Sequence, residues 1–381
     1  MKISKHAICF ICTLIFITGC SKKINQEQDI MKEAENYNLT INKKISNNIS
    51  VNIDKTFDNH DLKKYWIKAD LYPVTQKWAQ NIADLYYQPE NITHVSEVED
   101  YEEKYGIRLF TIEETKRCFS AQGNNIFIFN DRDFYDNCEA YYHEGNIYPF
   151  FLHDMESYYS KADLSFMSYS EADALGKSLL DMVGFTYNED TCTGYSLTED
   201  ALMKYKNEHQ ERFASMKQLL EGMKERNPNG NTGDFIEDWS GTGGFYVFYY
   251  PIKINGLNID EESTNTVMYA HVVINQNGIM RAHVPCQYRV VRSEEITVVK
   301  PEIALNKLIE MYENTILTGT VSINDVDLVF AQVAIEDLNK SEIDVQYVIS
   351  PAWKFSVSIL ENDEVIKGNV LYAVDTGERI G

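Results

Sequence analysis

Asn277-Gly278 sits between two long apolar runs, residues 267–275 and 279–291. Asn and Gly tolerate the left-handed backbone that a tight hairpin needs, so this dipeptide between apolar runs predicts two antiparallel strands. A parallel pair would require a crossover of a dozen residues or more at the same place. Further strands are expected at 244–254 before the turn, then at 321–335, 342–349, 353–360 and 370–374. Each set follows a helical pattern. Ser170 can cap a helix with Ala172, Leu175, Leu179 and Met182 on one face, ended by Gly184. A long amphipathic helix over 198–225 carries Leu202, Tyr205, Phe213, Met216, Leu220 and Met223, and Asn227-Pro228-Asn229-Gly230 ends it. Pro301 opens a third, with Ala304, Leu305, Leu308, Ile309 and Tyr312. Helix followed by antiparallel strands thus occurs twice, from Ser168 and from Lys300. A helix across an antiparallel sheet buries one face of each element, so the expected class is α+β, with helices packed on antiparallel sheets.

Ahead of these two units, residues 49–53 alternate like a strand and 65–71 supply a second. Pro73 is expected in the first turn of a helix whose face is Val74, Trp78, Ile82 and Tyr86. Aromatic-rich strand candidates follow, among them 126–129 and 147–152. Residues 21–49 are rich in Lys, Asn and Glu without a sustained apolar stripe, which reads as a flexible tether reaching about 30 Å.

The first twenty residues decide where such a chain works. Lys2 and Lys5 precede an apolar run over 7–17, too short to span a bilayer comfortably and of the length of an export signal. The run ends Ile17-Thr18-Gly19-Cys20, followed by polar Ser21-Lys22-Lys23. This ending resembles the lipobox of bacterial lipoproteins. The resemblance implies that Cys20 receives a diacylglyceryl group and becomes the first mature residue, anchored to the extracytoplasmic face of the cell membrane. Two acyl chains on one residue make a stable anchor. The expected organisation is a signal peptide at 1–19, a tether at 20–49, an α+β region at 50–163, a first helix-plus-sheet unit at 164–297 and a second at 298–381.

Net charge is −23, and loss of Lys2 and Lys5 with the signal makes it two units more negative. Such a surface repels phosphate backbones, so nucleic acid is not an expected partner. Of seven cysteines, Cys9 and Cys12 leave with the signal. Cys118, Cys138, Cys192 and Cys286 match no zinc spacing and leave both disulfides and buried thiols open.

The C-terminal run Ser350-Pro351-Ala352-Trp353-Lys354-Phe355, with Leu371-Tyr372-Ala373-Val374-Asp375-Thr376-Gly377-Glu378, resembles the closing hairpin of PepSY-like and YycH/YycI-like extracytoplasmic domains. The whole chain resembles lipoproteins of low-GC Gram-positive bacteria that carry such units. That resemblance implies binding or regulation of an envelope protein, a kinase or a peptidase, with no family catalytic residue and no cofactor.

The residues themselves offer little chemistry. The Gly-x-Ser-x-Gly turn that exposes a nucleophile is absent. Ser240-Gly241-Thr242-Gly243-Gly244 precedes a strand, whereas phosphate cradles precede a helix. Tyr142-His143-Glu144 and His153-Asp154 hold the elements of a metal site without a ligand spacing, and His209 falls on a helix stripe as a packing residue. Asp131, Arg132, Asp133 and Asp136 have the density of a calcium loop but lack its glycine and closing glutamate. Glu97, Glu99, Asp100, Glu102 and Glu103 read as a solvated acidic loop. Tyr86-Tyr87, Tyr141-Tyr142, Tyr158-Tyr159 and Tyr249-Tyr250 would place one aromatic on each face of a strand. The lead expectation is a non-enzymatic binding lipoprotein. A solute-binding lipoprotein of a transporter is the alternative, and a cell-wall hydrolase a third.

Overall fold

The computed structural model describes residues 37–57, 62–86, 95–105, 108–113, 117–141, 156–228, 232–252, 259–260, 268–315, 317–336, 346–361 and 364–380. The chain begins β1 (Tyr37–Lys44), β2 (Ile49–Phe57), β3 (Lys63–Asp70), α1 (Gln76–Tyr86), β4 (Ser96–Glu97), α2 (Tyr101–Tyr105), β5 (Leu109–Glu113), β6 (Cys118–Gln122), β7 (Asn125–Phe129) and α3 (Arg132–Cys138). It continues α4 (Tyr169–Val183), β8 (Thr193–Leu197), α5 (Glu199–Glu208), α6 (Gln210–Arg226), β9 (Phe245–Pro251), β10 (Tyr269–Asn275), β11 (Gly278–Pro285) and β12 (Gln287–Glu295). It closes with α7 (Pro301–Glu313), β13 (Thr320–Glu336), β14 (Gln346–Glu361), β15 (Glu364–Ala373) and β16 (Arg379–Ile380). The fold is α+β. Among the described residues no helix is long and apolar enough to cross a membrane.

Among the described residues the strands form two eight-stranded sheets. The first runs β1-β2-β13-β14-β15-β16, with β3 beside β14 and β12 beside β3. The second runs β4-β5-β6-β7-β11-β10-β9-β8 and is antiparallel throughout. The expected hairpin is its centre: Gln276 and Asn277 turn, and Gly278 takes φ +96°, where a side chain would be strained. Ala79 and Ile82 of α1 and Ala172, Leu179 and Leu180 of α4 cover one face of this sheet, against Phe248, Val272 and Val284. Leu202, Tyr205 and Phe213 of α5 and α6, with Phe134 of α3, cover the other. Coverage on both sides is why β10 is buried at every residue instead of alternating. In the first sheet α7 lays Ala304, Leu305 and Leu308 on Val51, Ile323, Trp353 and Phe355. Ile67 and Ile349 of the first sheet join the core of the second, so the two share an apolar boundary.

Several sequence expectations change here for physical reasons. The run 279–291 is two strands: β11 ends at Pro285, Cys286 is buried, and β12 leaves for the other sheet. The described part of the run 342–349, from Gln346, and the run 353–360 fall instead on one strand, β14, with Pro351 inside it. The Pro351 carbonyl accepts from Val374 N–H at 3.2 Å, so its nitrogen faces that same side. There the partner changes from β3, last paired at Ile349, to β15, first paired at Ala352, and no ladder bond is lost. The first-helix cap is Ser168, reciprocally bonded with Glu171, two residues before the expected Ser170. Thr75, not Pro73, starts α1. The helix over 198–225 is two helices broken at His209, whose imidazole lies 4.1 Å from the Tyr205 ring centre.

The expected division of the chain also differs from the strand pairing. β1 lies inside the segment read as tether and pairs along its length with β2. β3, from the expected 50–163 region, pairs with β12 and β14, and β7 pairs with β11. The two sheets are therefore assembled from distant stretches. The signal segment and the 147–152 strand lie outside the described residues.

Candidate functional site

The carboxylates that look like a calcium loop are fastened to the backbone of a neighbouring segment. Asp131 caps α3 by accepting from Phe134 N–H at 3.1 Å. Asp133 accepts from Asp234 N–H and Asp136 from Gly233 N–H, each at 2.6 Å. Arg132 donates to Asp136 at 3.0 Å, and buried Asn137 bonds Asp234 O and Ile236 N–H at 2.7 and 2.9 Å. The close approach requires Gly233, where a Cβ would stand 2.6 Å from the Arg132 carbonyl. This corner clamps residues 233–236 onto α3.

The glycine-rich loop precedes β9, as its sequence position implies. Gly241, Gly243 and Gly244 all take positive φ. The Gly243 N–H donates to Glu199 Oε1 at 2.5 Å, so a carboxylate from the first turn of α5 sits where an anion would. In the acidic stretch, Glu97 is held by Arg108 at 2.6 and 2.7 Å, and its carboxyl is drawn below the usual range by that bond. The pairs around His143 and His153 lie outside the described residues. Among the described residues no three His, Cys, Asp or Glu side chains gather as metal ligands.

Cys192 and Cys286 are free thiols. Cys192 lies close to the Lys177–Asp173 ion pair (2.7 Å), a setting that could make a nucleophile. Burial instead pushes its thiol up to about 11, and that of Cys286 likewise to about 11. Thiols so raised are inert at neutral pH.

One arrangement escaped the sequence reading. On the face of the second sheet opposite α1 and α4, Phe127, His283, His271 and Tyr249 line up across β7, β11, β10 and β9. The two imidazoles are 6.0 Å apart, and Phe127 lies 6.3 Å from His283. In the next row Arg281, fully buried, is directed at the rings of Phe127 and Tyr135, 5.7 and 4.3 Å away. Burial, and secondarily Arg281, pushes His283 down to about 4, so it is neutral at pH 7. A fixed cation and a neutral imidazole are thus held among aromatic walls. The signal for the pair was its near-symmetry about Asn277-Gly278, but a bulge between Val273 and Ile274 shifts the register by one, and only the shifted register puts His271 opposite His283.

The aromatic pairs divide as strand geometry demands where they lie in strands: Tyr250 enters the core beside α4 and Tyr249 points to the opposite face. Tyr159 stacks on Tyr195 at 4.5 Å and, with Ser160 and Lys161, lines a shallow cleft of about 360 Å³.

No protein-family model matches the chain, and no curated protein matches it in sequence. An uncharacterised protein from Eubacterium rectale matches in structure with a TM-score of 0.59 at 16% identity, over 91% of this chain and 93% of that one. The two share a fold. The C-terminal domain of Bacillus megaterium YpeB matches more weakly, with a TM-score of 0.32 at 11% identity, over 81% of this chain and 96% of that domain.

Proposed function

We propose that this chain is an extracytoplasmic lipoprotein, held to the membrane by a diacylglyceryl group on Cys20, that binds and regulates another protein of the cell envelope without catalysing a reaction. The observation that carries the non-catalytic part is the use of its reactive-looking groups as fasteners. Asp133 and Asp136 hold backbone amides of residues 233–234, and Glu199 occupies the glycine loop. Ile17-Thr18-Gly19-Cys20 supports the location. The partner class is a membrane-bound kinase or a peptidase, in keeping with the PepSY-like and YycI-like character of the C-terminal hairpin. Neither the transporter nor the hydrolase reading gains a specific observation.

The test is cross-linking of the full chain on intact cells of a Gram-positive host, followed by mass spectrometry of its adducts. A reproducible adduct with one envelope protein is expected. Adducts no different from those of an unrelated lipoprotein would contradict the reading.

A further inference from the structure

On its inner side β15 pairs with β14 along its whole length, and on its outer side it meets β16 at Leu371 and Tyr372. No described strand pairs with the outer side of 364–370. The ladder fixes which backbone groups face that way. Val374 N–H donates inward to the Pro351 carbonyl, whereas Ala373 N–H donates outward to Glu378 O at 2.8 Å. The register is unbroken from Ala373 back to Glu364, so alternation turns the N–H and C=O of Val365 and Lys367 outward with those of Ala373. Apolar side chains flank this edge. Val365 is 59% exposed, Ile366 54%, and Leu360, directly opposite Val365, 46%. Val365 and Leu360 share one face, and Ile366, opposite Ile359, lies on the face that carries α7. Exposed Lys367, on the Val365 face and opposite Ser358, forms no ion pair with a described residue.

We infer that the outer edge of β15 receives an extended segment of a partner protein as an added strand, with branched apolar residues opposite Val365 and Ile366 and a carboxylate opposite Lys367. The inference rests on the proposed binding role and names the chemistry of the partner. An open edge is a template for another chain, in which main-chain bonds supply affinity and alternate side chains supply specificity. Antiparallel addition, the more stable pairing, gives two hydrogen bonds at Val365 and two at Lys367. It also covers an apolar side chain on each face of the sheet. Lys367 is placed to choose among strands, because an acid directly opposite is favourable and another cation is not. The same rule weighs against a second copy of this chain, since β15 paired with itself about Lys367 sets one ammonium against the other. Three half-exposed side chains also fall far short of the about 800 Å² that each partner of a stable dimer buries. A bilayer fits no better: Glu361 and Glu364 stand opposite each other at the tip of the hairpin, where anionic headgroups would meet them.

The experiment titrates the full chain, purified in detergent, with a blocked fluorescent peptide Thr-Thr-Glu-Ile-Val-Thr-Thr, whose Glu, Ile and Val fall opposite Lys367, Ile366 and Val365. Saturable binding is expected, with slowed hydrogen exchange at the Val365 and Lys367 amides. Val365→Pro removes an outward N–H that β14 does not use, so it should leave the thermal midpoint nearly unchanged and weaken binding about tenfold. Lys367→Glu should weaken binding several-fold, and a peptide with Lys in place of Glu should restore it. Absence of peptide binding, binding without protection of those two amides, or equal affinity in the Val365→Pro variant would overturn the inference. A concentration-dependent dimer that Val365→Pro abolishes would overturn it in favour of a second copy. Failure here alongside a specific adduct on intact cells would leave the binding role standing and remove only this edge.

Discussion

The guanidinium of Arg281 lies 4.3 Å from the centre of the Tyr135 ring, on a side chain with no exposed surface. A cation held against an aromatic face away from water is worth about 2 kcal/mol, against less than 1 kcal/mol at an exposed site. A double-mutant cycle with Arg281→Met and Tyr135→Leu should therefore give a coupling energy of about 1–2 kcal/mol in urea unfolding. Coupling indistinguishable from zero would mean that Tyr135 only fills space.

His283 is held neutral, with its pKa pushed from 6.5 down to about 4. The unfolded chain binds this proton more readily than the folded one, so the contribution to stability is complete above pH 6.5 and is lost as pH falls toward 4. The loss amounts to about 3 kcal/mol over that window. Carboxylates throughout the chain also titrate there, so the useful quantity is a difference. Stability measured against pH should fall less steeply in His283→Gln than in the unaltered chain; parallel curves would contradict an imidazole held neutral in the fold.

Gly241 and Gly244 take nearly the same φ, +78° and +76°, but have different surroundings. A Cβ at Gly241 meets nothing within 4 Å, whereas one at Gly244 would stand 2.2 Å from the Leu197 carbonyl oxygen. Gly241→Ala should cost about 1–2 kcal/mol, the strain of a left-handed residue alone. Gly244→Ala adds a clash with backbone that joins β8 to α5, and should cost several kcal/mol or prevent folding. Equal thermal midpoints for the two variants would show that the loop yields without cost.

What the sequence made legible was local chemistry. Gly278, Gly184 and Pro301 each mark an element boundary through their own backbone preferences: Gly278 opens β11 at φ +96°, Gly184 ends α4 at φ +76°, and Pro301 begins α7. Pairing between distant strands leaves no such mark. The parallel contact of β2 with β13 and the crossing of the chain at Cys286 depend on contacts hundreds of residues apart or on a change of sheet. β1 was hidden differently: it is an edge strand in which only Leu39 is fully buried, so its sequence reads as polar linker. The pairing of His271 with His283, beside buried Arg281 in the next row, was hidden by a one-residue bulge, which changes what faces what without changing the sequence pattern.

The location of the chain is open to one direct measurement, the mass of the N-terminal peptide of the protein purified from the membrane of a Gram-positive host. The expected species begins at Cys20 and carries a diacylglyceryl group, and it vanishes with Cys20→Ala. A terminus that still begins at Met1, or an unmodified Cys20, would contradict the lipoprotein assignment.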